Sequence, residues 1–146
     1  MLRLAGLLAL LSVAVPRLEA QTVAAPSPAP AAQQPAPEIF IREPRDGATV
    51  PRSFTVVFGL KNWGVAPASV NFPRTGHFHI LINTDAGAVG TVIPADSLHR
   101  HYGTGAIETT LTLAPGTYTL RAVLGDYEHK VISRDLVSAP IRITVR

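Results

Sequence analysis

Apolar and polar residues alternate with a period of two over long stretches of this chain. In residues 53–60, Phe54, Val56, Phe58 and Leu60 fall on one face, the signature of a half-buried strand. Three more stripes follow the same rule: Ile107, Leu111 and Leu113; Tyr118, Leu120, Ala122 and Leu124; and Val137, Ala139, Ile141, Ile143 and Val145. Phe78, Ile80 and Ile82 form another, and Ile39-Phe40-Ile41 reads as a short opening strand. Turn chemistry separates them at Pro44-Arg45-Asp46-Gly47, at Ala114-Pro115-Gly116 and across the Pro/Asn-rich stretch 67–73. No 3.6-residue apolar stripe occurs outside the N-terminal segment, and no internal repeat is present. Short strands punctuated by Gly and Pro predict an all-β domain over residues 38–146, an immunoglobulin- or fibronectin-like antiparallel β-sandwich. Pro140 inside the last stripe, lacking a ladder donor, places that strand at a sheet edge or leaves it paired there on one side only.

The N-terminal residues follow different rules. Arg3, an apolar run from Leu4 to Val15 and a small residue at Ala20 give residues 1–20 the layout of a secretory signal peptide. The run is shorter than the roughly 20 apolar residues of a membrane-spanning helix, so no stable membrane span is expected after cleavage. Residues 21–37, QTVAAPSPAPAAQQPAP, hold almost nothing that can pack and read as an Ala/Pro-rich disordered linker. The expected location is periplasmic or secreted, in a bacterium.

Composition removes several chemistries. The chain has no cysteine, so disulfides, thiolate metal sites, a Cys nucleophile and a lipoprotein anchor are excluded. Its formal charge of +3 is spread without a basic run, so no nucleic-acid partner is expected. There is no G-x-S-x-G, no phosphate-binding loop and no H-E-x-x-H. An enzymatic reaction would have to rest on the histidines alone, and a non-catalytic role is the expectation.

All five histidines lie between His77 and His129. His77-Phe78-His79 and His99-Arg100-His101 are His-x-His pairs, and on a strand two such residues share a face about 6.5–7 Å apart. With Phe78, Ile80 and Ile82 toward the core, His77 and His79 fall on the opposite, more polar face. Breakers on both sides of the second pair read it as a loop, and His129 follows a strand end at Leu124-Gly125. Glu108, Asp126 and Glu128 are the nearby carboxylates, either ligands themselves or acceptors that fix an imidazole tautomer. Nitrogen and oxygen donors without sulfur suit Cu(II) or Zn(II). The candidate metal ligands are therefore His77, His79, His99, His101 and His129, with Glu108 and Asp126 in support. The alternative is that the imidazoles hydrogen-bond loop carbonyls on a polar surface.

These residues also carry a resemblance. The stretches PRDGATV at 44–50, TGHFHILI at 75–82, IPAD at 93–96, HRHYG at 99–103, ETTLTLAPG at 108–116 and LGDYEH at 124–129 resemble the exported bacterial family catalogued as domain of unknown function 4399. The family pattern has a histidine run where this chain has His77-Phe78-His79, and often a further histidine where this chain has Tyr127. The resemblance implies export and these domain limits, and it carries no activity. A lesser likeness to copper/zinc superoxide dismutase rests on Gly76-His77-Phe78-His79, without that family's cysteine pair.

Two functions rank ahead of a metalloenzyme, which would need an open coordination position and a general base such as Glu108. One is an exported module binding a divalent ion through the histidine cluster, with binding that falls as the imidazoles protonate near pH 6. The other is a metal-free module that recognises an envelope protein or glycan through exposed Trp63 and Tyr102.

Overall fold

The structure, a computed structural model, describes residues 34–146. The expected signal peptide lies outside the described residues, as does the expected linker apart from residues 34–37. The regular structure of the described chain is β apart from one short 3-10 turn at Arg134–Leu136. Strands β1 (Glu38–Glu43), β3 (Ser53–Lys61) and β7 (Glu108–Thr112) form a three-stranded antiparallel sheet in the order β1-β3-β7. The second sheet contains β2 (Thr49–Val50), β4 (Gly64–Val65), β5 (Thr75–Ile82), β8 (Gly116–Gly125) and β9 (Ile141–Val145), ordered β2-β9-β8-β5-β4. A further strand, β6 (His99–Tyr102), pairs antiparallel with β5.

The period-two pattern explains the register. Ile39 pairs with Leu60, Ile41 with Phe58 and Phe54 with Leu111, so the apolar stripes meet at these positions, while Val56 stands opposite Thr109. These side chains enclose a common core with Phe78, Ile80, Leu120, Leu124 and Ile143 of the second sheet. Phe58 and Phe78 stack across the two sheets at 4.2 Å. Truncating either ring to alanine leaves a cavity and costs about 3–5 kcal/mol.

Four expectations change. Pro140 lies just outside β9, which pairs with β8 along its length and with β2 only at Thr144 and Val145, so the strand is not an edge, although next to Pro140 it is paired with β8 alone. Ile107 sits before β7 and is 60% exposed, and only Leu111 of its stripe is fully buried. Trp63 and Tyr102 are partly buried against the main core, not exposed, and the Arg74 guanidinium covers the Trp63 ring at 4.6 Å. Finally, His99-Arg100-His101-Tyr102 is a strand and not a loop, because the edge of β5 offers it a ladder. No helix among the described residues is long and apolar enough to cross a membrane.

Candidate metal centre

Strand β5 has two faces with different duties. Phe78, Ile80 and Ile82 enter the main core, and His77, His79 and Leu81 point the other way, as the alternation requires. That second face is less polar than the sequence suggests. Leu81 joins Ile93, Val123 and Val131 in a separate apolar cluster, flanked by Ala86 and Val137. The loops after β5 and β8 cover it by pairing with one another. Ile93 N–H donates to the His129 carbonyl (2.7 Å), and Val131 N–H donates to the Thr91 carbonyl (3.0 Å). As a result His77 and His79 are 0% and 1% exposed, although they lie outside the main core.

Register brings the other histidines in. His101 stands directly opposite His79 in the β5–β6 ladder, and two residues of one face directly opposite each other are neighbours. His129 comes from the turn after β8, which is held by the Asp126 carboxylate. Asp126 Oδ1 accepts hydrogen bonds from Glu128 N–H (2.9 Å) and Lys130 N–H (2.8 Å), while His129 N–H donates to the Asp126 carbonyl (2.8 Å). His129 itself has φ +63°, a left-handed conformation uncommon for a residue with a Cβ.

The four rings of His77, His79, His101 and His129 converge. His77 lies 4.8 Å from His79, 4.9 Å from His101 and 4.8 Å from His129, centroid to centroid. His101 and His129 are 4.8 Å apart, and His79 is 5.1 Å and 5.9 Å from them. One nitrogen from each of His77, His101 and His129 lies within 4.8 Å of the others. Three imidazole nitrogens about 2.0–2.1 Å from a tetrahedral ion would stand about 3.4 Å from one another, so a modest contraction about the ion suffices.

Two glycines make room for the rings. A Cβ at Gly125 would stand 2.9 Å from His79 Nε2, and one at Gly103 would stand 2.5 Å from His101 Cε1 and Nε2. Neither glycine is visible in the sequence as part of a site.

The hydrogen bonding of the cluster is unusual for buried histidines. His77 Nε2 and His79 Nε2 are 3.0 Å apart, so one ring donates its proton to the other. The Nδ1 atoms of both rings are buried without a partner. In the ring that accepts at Nε2, Nδ1 carries the proton, leaving a buried orphan donor that costs roughly 1–3 kcal/mol. The rings face one another and not loop carbonyls, unlike an ordinary hydrogen-bonded surface network.

The environment also disfavours charge. Burial, followed by repulsion from His101 and His129, lowers the His77 pKa from 6.5 to about 4, with Asp126 opposing the shift. Burial and then the charges of His77, His101, His129 and His99 lower that of His79 to about 3. His101 is lowered as well, by burial and then by His129. The inner imidazoles are thus neutral, the state a metal requires of them.

The remaining candidate residues lie apart from the four rings. His99 shares a face of β6 with His101 but stands opposite Leu81, and its Nδ1 pairs with Asp96 Oδ1 at 2.8 Å. Asp126 caps the His129 turn. Glu108 is exposed on β7, paired with Val57 in the other sheet. In the sequence Asp96 stands out only as the end of the IPAD stretch, and the one signal of its role is its place three residues before His99.

Fold and site together define a β-rich domain that gathers four histidines on the outer face of one central strand. The chain belongs to the family described as Domain of unknown function (DUF4399), whose sequence profile matches residues 56–146 and so takes in all five histidines. No curated protein matches the chain, and no solved structure does.

Proposed function

We propose that this chain is an exported, periplasmic or secreted protein whose immunoglobulin- or fibronectin-like sandwich holds a divalent metal ion, Cu(II) or Zn(II). His77, His101 and His129 would be the ligands, with His79 as a fourth nitrogen or as the group that orients His77. The observation that carries this reading is four mutually facing imidazoles, two of them buried with Nδ1 unpartnered. A hydrogen-bonded structural network would satisfy both Nδ1 atoms, whereas here the ring that donates at Nε2 keeps an uncommitted lone pair on Nδ1, as a metal ligand requires. The donor set contains no sulfur and therefore suits Cu(II) or Zn(II) better than Cu(I).

Metal content by mass spectrometry, on protein purified without a histidine tag, followed by competitive Cu(II) and Zn(II) titration, tests it. The informative variant is His101→Ala with His129→Ala, because both rings lie at the outer side of the cluster and their loss leaves the buried pair packed. About one tightly held equivalent, lost in the double variant, is expected. Weak binding that is equal in wild type and variant would refute it. The metal-free envelope module then becomes the better reading, although Trp63 and Tyr102 are largely committed to the core.

A further inference from the structure

The fifth histidine is held for a purpose that the four-ring cluster does not explain. His99 Nδ1 donates to Asp96 Oδ1 at 2.8 Å, which fixes the ring and leaves the lone pair on Nε2. Asp96 is itself held, since its Oδ1 also accepts Leu98 N–H (2.8 Å) and His99 N–H (3.0 Å). A carboxylate behind an imidazole is the arrangement that orients a metal-binding histidine and raises its basicity. Yet His99 forms no close ring pair with the other four. It lies one step along the same face of β6 from His101, and an i, i+2 pair on a strand spans about 6.5–7 Å.

The surroundings grade from open to closed. Asp96, His99, His101 and Tyr102 line a cleft of about 570 Å³ between β6 and β7 that opens to solvent. His101 belongs both to that cleft and to the ring cluster. Behind it, His129 is half-buried and His77 and His79 are fully buried. His101 is exposed and the His99 side chain, 13% exposed, lines the cleft beside it, so an ion arriving from water meets His101 with His99 next to it before it can reach His77.

Resting on the metal-binding reading above, we propose that the Asp96–His99 pair is the capture ligand of this site. A hydrated divalent ion exchanges one water for the exposed His101 ring and a second for His99 Nε2 beside it in the cleft, so that two donors hold it there. It then leaves His99 as His129 and His77 replace the remaining waters. The ligand class is a hydrated divalent transition-metal ion, exchanged one donor at a time with no change of oxidation state. His99 governs how fast the site fills, and the inner rings govern how tightly it holds.

Cu(II) is the probe, because it binds an imidazole site more tightly than Zn(II) and its visible absorption reports nitrogen ligation. Stopped-flow loading and equilibrium competition are measured on wild type, His99→Ala and His99→Gln, the glutamine preserving bulk at the strand edge. Loading about tenfold slower in both variants, with an equilibrium affinity within about threefold of wild type, is the expected result. Unchanged loading would overturn the capture role. A parallel loss of affinity would also overturn it, by making His99 a resident ligand. A wild type that takes up no Cu(II) would instead remove the metal-binding function itself, a distinct outcome.

Discussion

Acid should destabilise the metal-free protein in a window set by two residues. His77 and His79 have folded-state pKa values lowered from 6.5 to about 4 and about 3, chiefly by burial. In the unfolded chain both regain the ordinary value and bind protons first as the pH falls. Their contribution is therefore fully present above pH 6.5 and is lost as the pH drops toward the folded values. At about pH 4.5 each group has forfeited about two pH units at 1.36 kcal/mol per unit, or about 5 kcal/mol for the pair. That rivals the whole stability of many domains, about 5–15 kcal/mol. Asp96 does not confuse this window, because the His99 ring and two backbone amides hold its carboxyl below the ordinary 3.8. Urea unfolding of the chelator-treated protein at several pH values between 7.5 and 4.5 measures the slope, with His77→Gln/His79→Gln as the reference. Wild type should lose most of its stability across this range, and the double variant should retain most of its own. A wild-type loss below about 1 kcal/mol, or equal slopes in the two proteins, would refute the linkage. If the cluster holds an ion as proposed, the same lowered values would move its release below the pH 6 region that unperturbed imidazoles would suggest, since protons compete less for the inner nitrogens.

Three further outcomes separate the site from the fold. Gly103→Ala intrudes on the exposed His101 ring, which can swing away, so its melting temperature should match wild type while metal affinity falls. Gly125→Ala presses on buried His79 and Ile93, which have nowhere to go, and should cost about 1–3 kcal/mol in urea unfolding. Asp126→Ala removes the acceptor for two turn amides and should cost about 1 kcal/mol and weaken metal binding, whereas Asp126→Asn, keeping that oxygen, should retain most of both in calorimetric titration.

Much of the fold is written locally. The alternation in 53–60 and 118–124 gives strands β3 and β8, and the same arithmetic places Phe78 and His79 on opposite faces of β5. What the sequence hides is tertiary. His99–Tyr102 has no apolar alternation, and it is a strand only because β5 supplies a free edge. Ile93 and Val131 belong to short apolar pairs, Val92-Ile93 and Val131-Ile132, in separate loops, with nothing in the sequence to show that they meet against Leu81. The apolar cover of the imidazoles, and with it their depressed pKa values, depends on two loops 30–40 residues apart pairing with each other. Pro140 misleads only as a sign of an edge strand: it lies one residue outside the ladder, and β2 joins β9 at the far end, at Thr144 and Val145.

Because the two faces of β5 alternate residue by residue, a slip of one position against β8 would drive His77 and His79 into the central core and turn Phe78 and Ile80 outward. The imidazoles meet only when the strand is correctly threaded and the β6 hairpin has closed onto its edge. A metal ion would thus select the correctly paired chain and ignore its misregistered competitors, acting during maturation as a check on assembly. At a free concentration one hundred times its dissociation constant, that selection is worth about 2.7 kcal/mol to the native chain alone. In a compartment where protein arrives unfolded, occupancy of the histidine cluster would then mark which molecules have finished folding.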